Sequence, residues 1–359
     1  MAGALVVDRS RWLGHRWQRH GFGADGTDLD ELLLLGIQDG RPDGALRSLR
    51  ARSVSAVIGP DGPLVAMWSV RGAPHVHRLD RLDFVTAANT PLPTDSGGAD
   101  LVAAVEAVAE ALRAVVTGPI SKSDASTRVT ECVPDTLVSW CERCQARHVP
   151  DALFRTAGCR AQILVGSDDR RGTVLRPAPA HPRERPRQAR ARLLDTFFGI
   201  NGPTTRALFA EWLGVEPADV AGVWKAADLV PVTVDGRRYS LPAALVDDLR
   251  TAAAAEGTVL VPPHDPYLRH ADRVLLVPEP ARRRLVWRPV SAPGAVLDAG
   301  EVVGIWRYRR GENLLTVTGF AALPAGLRRR VERAAAVVAD ASGLPDVAVA
   351  FDDHRADAR

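Results

Sequence analysis

Cys141-x2-Cys144-x3-His148 offers two thiolates and an imidazole at the spacing of a tetrahedral zinc site, and Cys132 or Cys159 would supply a fourth ligand. The same three residues stand at i, i+3 and i+7, so they equally form one helix face bearing free thiols. Both readings stay open, and neither a catalytic metal nor a cofactor is assigned. His75 and His77 alternate just beyond a β-rich run, where an extended chain points both imidazoles the same way. Arg41, Arg47, Arg50 and Arg52 crowd one stretch, and Arg237-Arg238 follow an Asp-Gly turn, with Arg206 and Lys225 a little earlier. Of 46 basic residues only Lys122 and Lys225 are lysines. The arginine fork matches phosphate and guanine geometry, so these clusters suit nucleic-acid contact. The runs at 282–284 and 328–330 read as solvated faces.

The 359 residues carry a net charge of +3, with 46% hydrophobic and 25% charged side chains. That is globular composition, long enough for two or three domains. A pI near 8.9 permits nucleic-acid binding, while so small a net charge argues against a histone-like, purely electrostatic binder. No Walker A loop, dinucleotide fingerprint, GxSxG elbow, HExxH or EF-hand occurs, which disfavours an ATPase, dehydrogenase or metalloprotease. The longest apolar runs, such as Leu32–Leu35, are far short of a membrane span, and the N-terminus lacks a secretory h-region. A cytoplasmic protein is expected.

The elements that would position these side chains follow one order. Thr27 or Asp28 caps a helix through Leu32–Leu35, a second helix spans 43–53, and runs at 54–58 and 64–70 make a hairpin around Gly59-Pro-Asp-Gly-Pro63. The order returns at 187–198, 204–213, 216–227 and the hairpin 229–241 with its Asp235-Gly236 turn. A third candidate lies between, with helices at 101–116, 134–146 and 151–157 and strands at 162–165 and 173–176. The Pro-rich stretch 177–186 marks a boundary. From 257 the chain reads as short strands, including 258–261, 273–277, 284–289, 295–297, 301–309 and 313–318, closed by a helix over 324–342, with a polar tail that frays. The expected fold is therefore α+β: tandem winged helix-turn-helix units at 1–95, 96–180 and 187–250, then a small β-barrel-like domain at 257–350.

The blocks GIQDGRPDGALRSLRAR, MWSVRGAPHVH, WCERCQARHVPDALFRTAG, GPTTRALFAEWLG, PPHDPYL and GEVVGIWRYRR, in that order, resemble the winged-helix DNA-binding family that contains the AlkZ-type bacterial DNA glycosylases. The resemblance covers roughly residues 30–340. It implies a concave basic surface around duplex DNA, excision of alkylated or crosslinked purines by water, and no required metal; a monomer is expected. It also implies a DNA-facing role for Arg71 and His75.

The family's catalytic signature is Gln-x-Gln or Gln-x-Asp beside the second helix. Here the chain reads Gly36-Ile37-Gln38-Asp39-Gly40, so whichever way Gln38 is aligned one polar partner is a glycine. Hydrolysis through an oxocarbenium-like sugar needs a positioned water and an offset for positive charge. A Gln38 carbonyl orients water, and an Asp39 carboxylate takes its proton or stabilises the cation. The alternative is that Gln38 and Asp39 cap the helix beginning near Asp43. The glycine also supports a non-catalytic DNA binder of the same fold, a regulator or lesion sensor.

Overall fold

The computed structural model describes residues 5–23, 29–40, 43–168, 172–180, 188–270, 272–341, 343 and 347–352. The expected caps Thr27 and Asp28, Arg41, much of the Pro-rich boundary and the polar tail beyond 352 lie outside them. Among the described residues no helix is long and apolar enough to cross a membrane.

The first unit holds helix Asp30–Leu35, strand Ile37–Gln38, helix Gly44–Arg50, strands Leu64–Trp68 and Pro74–Arg78, and helix Leu82–Asn89. Its hairpin differs from expectation. Leu64–Trp68 pairs with Pro74–Arg78, while 54–58 contributes only an isolated bridge from Ile58 to Leu64. Every residue of Leu64–Trp68 is buried and seeks an apolar partner; Val57 is 74% exposed, whereas Val76, His75 and His77 face inward. The histidines disguise a core strand as a loop.

The second unit comprises helices Gly98–Val115, Lys122–Cys132 and Asp151–Arg160 with strands Ile120–Ser121, Ile163–Asp168 and Gly172–Pro177. The helix expected over 134–146 is instead a hairpin, Ser139–Cys141 against Ala146–His148. Thr136, Val138 and Trp140 alternate as β-formers, and Gln145 in the left-handed region (φ 51°) helps close the turn. Strands of the first and second units join one six-stranded sheet, in the order Ile37–Gln38, Pro74–Arg78, Leu64–Trp68, Ile163–Asp168, Gly172–Pro177, Ile120–Ser121.

The third unit carries helices Ala189–Asn201, Arg206–Leu213 and Ala221–Ala226 and the hairpin Leu229–Val234/Arg237–Pro242. Asp235 and Gly236 turn it with positive φ (48° and 76°), as an Asp-Gly hairpin turn requires. The N-terminal segment packs on this unit as well as on the first, where Arg52 donates to the His20 carbonyl. Leu5–Val7 adds a parallel strand to Leu229–Val234, and helix Arg9–Arg19 sends Trp12 Nε1 to the Asn201 carbonyl at 3.2 Å.

The C-terminal region is an open sheet, not a barrel. Its strands run Thr258–Val261, Gly294–Asp298, Glu301–Arg309, Leu314–Gly319, Ala348–Asp352, with no pairing between the first and last. Helix Ala325–Ala341 covers one face through Leu327, Val331, Ala335 and Val338, which pack with Leu260, Trp306, Leu315 and Val317. A face buried by a helix has no need of closure. The strands expected at 273–277 and 284–289 are helices Arg273–Leu276 and Pro280–Val286. Asp272 caps the first by accepting from Val274 N at 2.8 Å, and Pro280 opens the second, so local capping outweighed β-branched content.

Candidate functional site

Gln38 is placed by what precedes it. Leu32–Leu35 are all buried, and the helix ends at Gly36, whose φ of 91° and whose neighbours forbid a side chain: a Cβ there would meet the His77 ring at 2.5 Å. Ile37 then enters the core, and strand alternation turns Gln38, registered opposite His75, the other way. The Gln38 carboxamide has no hydrogen-bond partner among the described residues.

Asp39 points elsewhere. Its backbone N–H donates to Pro74 O at 2.9 Å, and its Oδ1 accepts from Ala45 N at 3.0 Å, at the start of helix Gly44–Arg50. Burial raises its carboxyl above the ordinary value, only partly countered by that amide. The helix-capping alternative thus describes Asp39, and Gln38 is left facing two clefts.

One cleft, about 10 Å³, is bounded by Gln38, Arg71, His75, Trp212, His264 and Arg269 among others. The second, about 120 Å³, includes Gln38, Gly40, Arg47, Trp306, Arg307 and Tyr308. A neighbouring cavity of about 260 Å³ continues from His264 and Arg269 to Arg273 and Arg288. Among the described residues no Asp or Glu lines any of the three. The smallest holds about one water molecule and no base.

His75 lies in the wall, with its Nδ1 engaged by the protein. Its Nδ1 shares Ala73 O (3.0 Å) and Ser69 Oγ (3.1 Å), and Ser69 also bonds His77 Nε2 at 2.9 Å, whose Nδ1 donates to Leu33 O at 2.8 Å. Burial, and for His75 the nearby His77, pushes these imidazoles down to about 3 and about 4. Both are neutral near pH 7, so His75 lines the cleft without a positive charge.

Arg52 is a correction. Its guanidinium is wholly buried, paired with Asp265 through two 2.8 Å contacts, and stacked 4.3 Å from the Phe22 ring. It has no face for DNA. Arg50 leans on Ser55 and on the Asp340 carboxylate at 3.5 Å. Arg47 lines the second cleft, 3.8 Å from Asp43. Arg71 adopts a left-handed turn (φ 55°) with its side chain against Gly214, and burial lowers its pKa. Arg206, Lys225, Arg237 and Arg238 are exposed on the third unit and line none of these clefts; Arg237 touches Tyr239 Oη at 3.2 Å and lies 3.8 Å from Asp272. His264, Arg269, Arg273, Arg288 and Arg307 were not singled out from sequence. For His264 and Arg269 the signal was the His, Asp and Arg content of 264–270, which spacing alone does not tie to Gln38.

These arginine-walled clefts sit on an α+β frame, and comparison with known proteins gives the class: a DNA-repair enzyme of the glycosylase kind, which binds DNA and hydrolyses the bond between base and sugar. The chain is a member of the AlkZ-like DNA glycosylase family, whose model matches residues 46–341. Gln38 and Asp39 stand just ahead of the matched span. A solved structure, the Streptomyces sahachiroi DNA glycosylase AlkZ, shares the fold with a TM-score of 0.73 at 20% identity, over 97% of this chain and 100% of that one. No curated protein sequence matches.

Proposed function

We propose that the chain removes alkylated, positively charged purines from duplex DNA, with Gln38 orienting the attacking water. The observation that carries this reading is the lining of the clefts around Gln38, which among the described residues is arginine, histidine and apolar side chains without a carboxylate. Among the described residues no carboxylic acid lines these clefts to protonate a neutral purine, and His75 is neutral. A leaving group that brings its own activation, as an N3- or N7-alkylated purine does, suits a wall without a carboxylic acid. Water oxygen bonds to C1′, the C1′–N bond breaks, and its electron pair neutralises the cationic ring; the water's proton passes to solvent. The small cleft at Gln38 accommodates the water, and the lesion stays in the groove. Arg47, Arg71, Arg269 and Arg307 grip the phosphates. Asp39 holds the loop that presents Gln38 and is a positioning residue.

Single-turnover incubation with duplex DNA containing N7-methylguanine tests this. Gln38→Ala is expected to lower abasic-site formation by on the order of 100-fold with DNA affinity kept. An unchanged rate would remove Gln38 from the chemistry. A second reading, a non-catalytic lesion sensor, is favoured by Gly40 standing where a second polar group is expected. DNA binding without base release from any alkylated duplex would establish it.

A further inference from the structure

The hairpin Ser139–Cys141/Ala146–His148 is short, largely exposed, and stands apart from the clefts around Gln38. Its strands are three residues each and Trp140 is 53% exposed, so it lacks a core of its own. Two-stranded hairpins of this kind are marginal in water unless something staples them. At its turn the donor atoms of Cys141, Cys144 and His148 all lie within 4.8 Å of one another. Cys132 and Cys159 lie outside that cluster, and Cys159 is buried on helix Asp151–Arg160.

Further details point to an ion. His148 Nδ1 donates to the Val149 carbonyl at 2.8 Å, which fixes the ring, while its Nε2 is shielded from solvent and has no hydrogen-bond partner. A metal-bound imidazole is held this way, with its second nitrogen on a backbone carbonyl. The turn is closed by Gln145 N to Cys141 O at 2.8 Å, which brings Cys144 back over Cys141.

We propose that Cys141, Cys144 and His148 Nε2 bind a zinc ion that staples this hairpin, with solvent in the fourth position. Two soft thiolates and one imidazole select zinc over calcium or magnesium. Bond lengths of about 2.3 Å to sulfur and 2.0 Å to nitrogen put tetrahedral ligand atoms about 3.5–3.8 Å apart, so the cluster closes by side-chain rotation. The ion serves the hairpin and takes no part in base excision.

The test is elemental analysis of the full chain purified without chelators, with cobalt titration of the metal-stripped chain. The expected result is one zinc per chain and, with cobalt, an intense near-ultraviolet thiolate band with tetrahedral visible bands. Cys141→Ser/Cys144→Ser is expected to abolish both, and Cys132→Ser to leave both. A metal-free chain that gives no cobalt spectrum overturns the site, as does a Cys141–Cys144 disulfide that forms in preference to metal binding. Loss of the ion on Cys132→Ser overturns the ligand set. The cobalt titration uses the unaltered chain, so misfolding of a variant does not cloud the outcome.

Discussion

Arg52 and Asp265, 213 residues apart, meet in a bidentate ion pair at 2.8 Å with neither side chain touching solvent. Arg52 directly follows the helix that Asp39 caps, and Asp265 caps helix Pro266–Arg269 by accepting from Tyr267 N at 2.9 Å. The pair therefore fixes the segment bearing Gln38 against the one bearing His264 and Arg269. Arg52 spends its other hydrogens on the His20 and Ser48 carbonyls, at 2.6 and 2.7 Å.

Removing one partner strands a buried charge, which typically costs about 3–5 kcal/mol. Arg52→Met and Asp265→Leu are each expected to destabilise by that order, read from urea unfolding midpoints. The double variant is expected to lose less than the sum of the two. Additive losses would mean that the two charges do not depend on each other.

Gly40 leaves room beside Gln38. Its φ is ordinary, and an added Cβ would meet only Gln38 Nε2, at 3.3 Å. Gly40→Gln is expected to raise single-turnover base release on the order of tenfold by adding a second water-orienting carbonyl. A lower rate with intact DNA affinity would show that this position does not face the reacting water.

Arg269 borders both the Gln38 cleft and its neighbour. Arg269→Ala is expected to weaken binding to any duplex and to reduce the slope of log K against log salt by about one unit. Arg238→Ala, on the third unit's hairpin, serves as the comparison for an exposed arginine that lines no cleft around Gln38. Equal slopes in the wild type and Arg269→Ala would take Arg269 off the DNA.

Burial lowers His15 and His77 to about 4 and His75 to about 3, from an ordinary 6.5. As pH falls below about 6.5 the unfolded chain takes up protons that the folded chain refuses, so stability is present above that value and lost on the way to about 4. Each histidine contributes a slope of about 1.4 kcal/mol per pH unit in that window. Denaturant midpoints from pH 7.5 to 4.5 read it; a flat profile would mean that these rings are protonated in the fold.

Some of the design is local and was therefore legible. The Asp235-Gly236 hairpin, the Thr205-capped helix Arg206–Leu213 and the terminal helix Ala325–Ala341 each depend on neighbours in sequence. So do the α+β class and the family blocks. What sequence could not decide were matters of partner choice. His75 and His77 look like a pair on an extended chain with no fixed partner until Ser69 and the Leu33 carbonyl satisfy them, and Arg52 looks like a phosphate clamp until Asp265 arrives from far along the chain. Gln38 and Asp39 are adjacent, yet strand alternation aims one at the clefts and ties the other to a helix start. Leu5–Val7 joined the third unit, and the C-terminal strands stayed open under a helix, because pairing edges and burying faces are settled between distant segments. Residue type sets what a side chain can do; only packing decides whether water, a charge or a carbonyl stands opposite it.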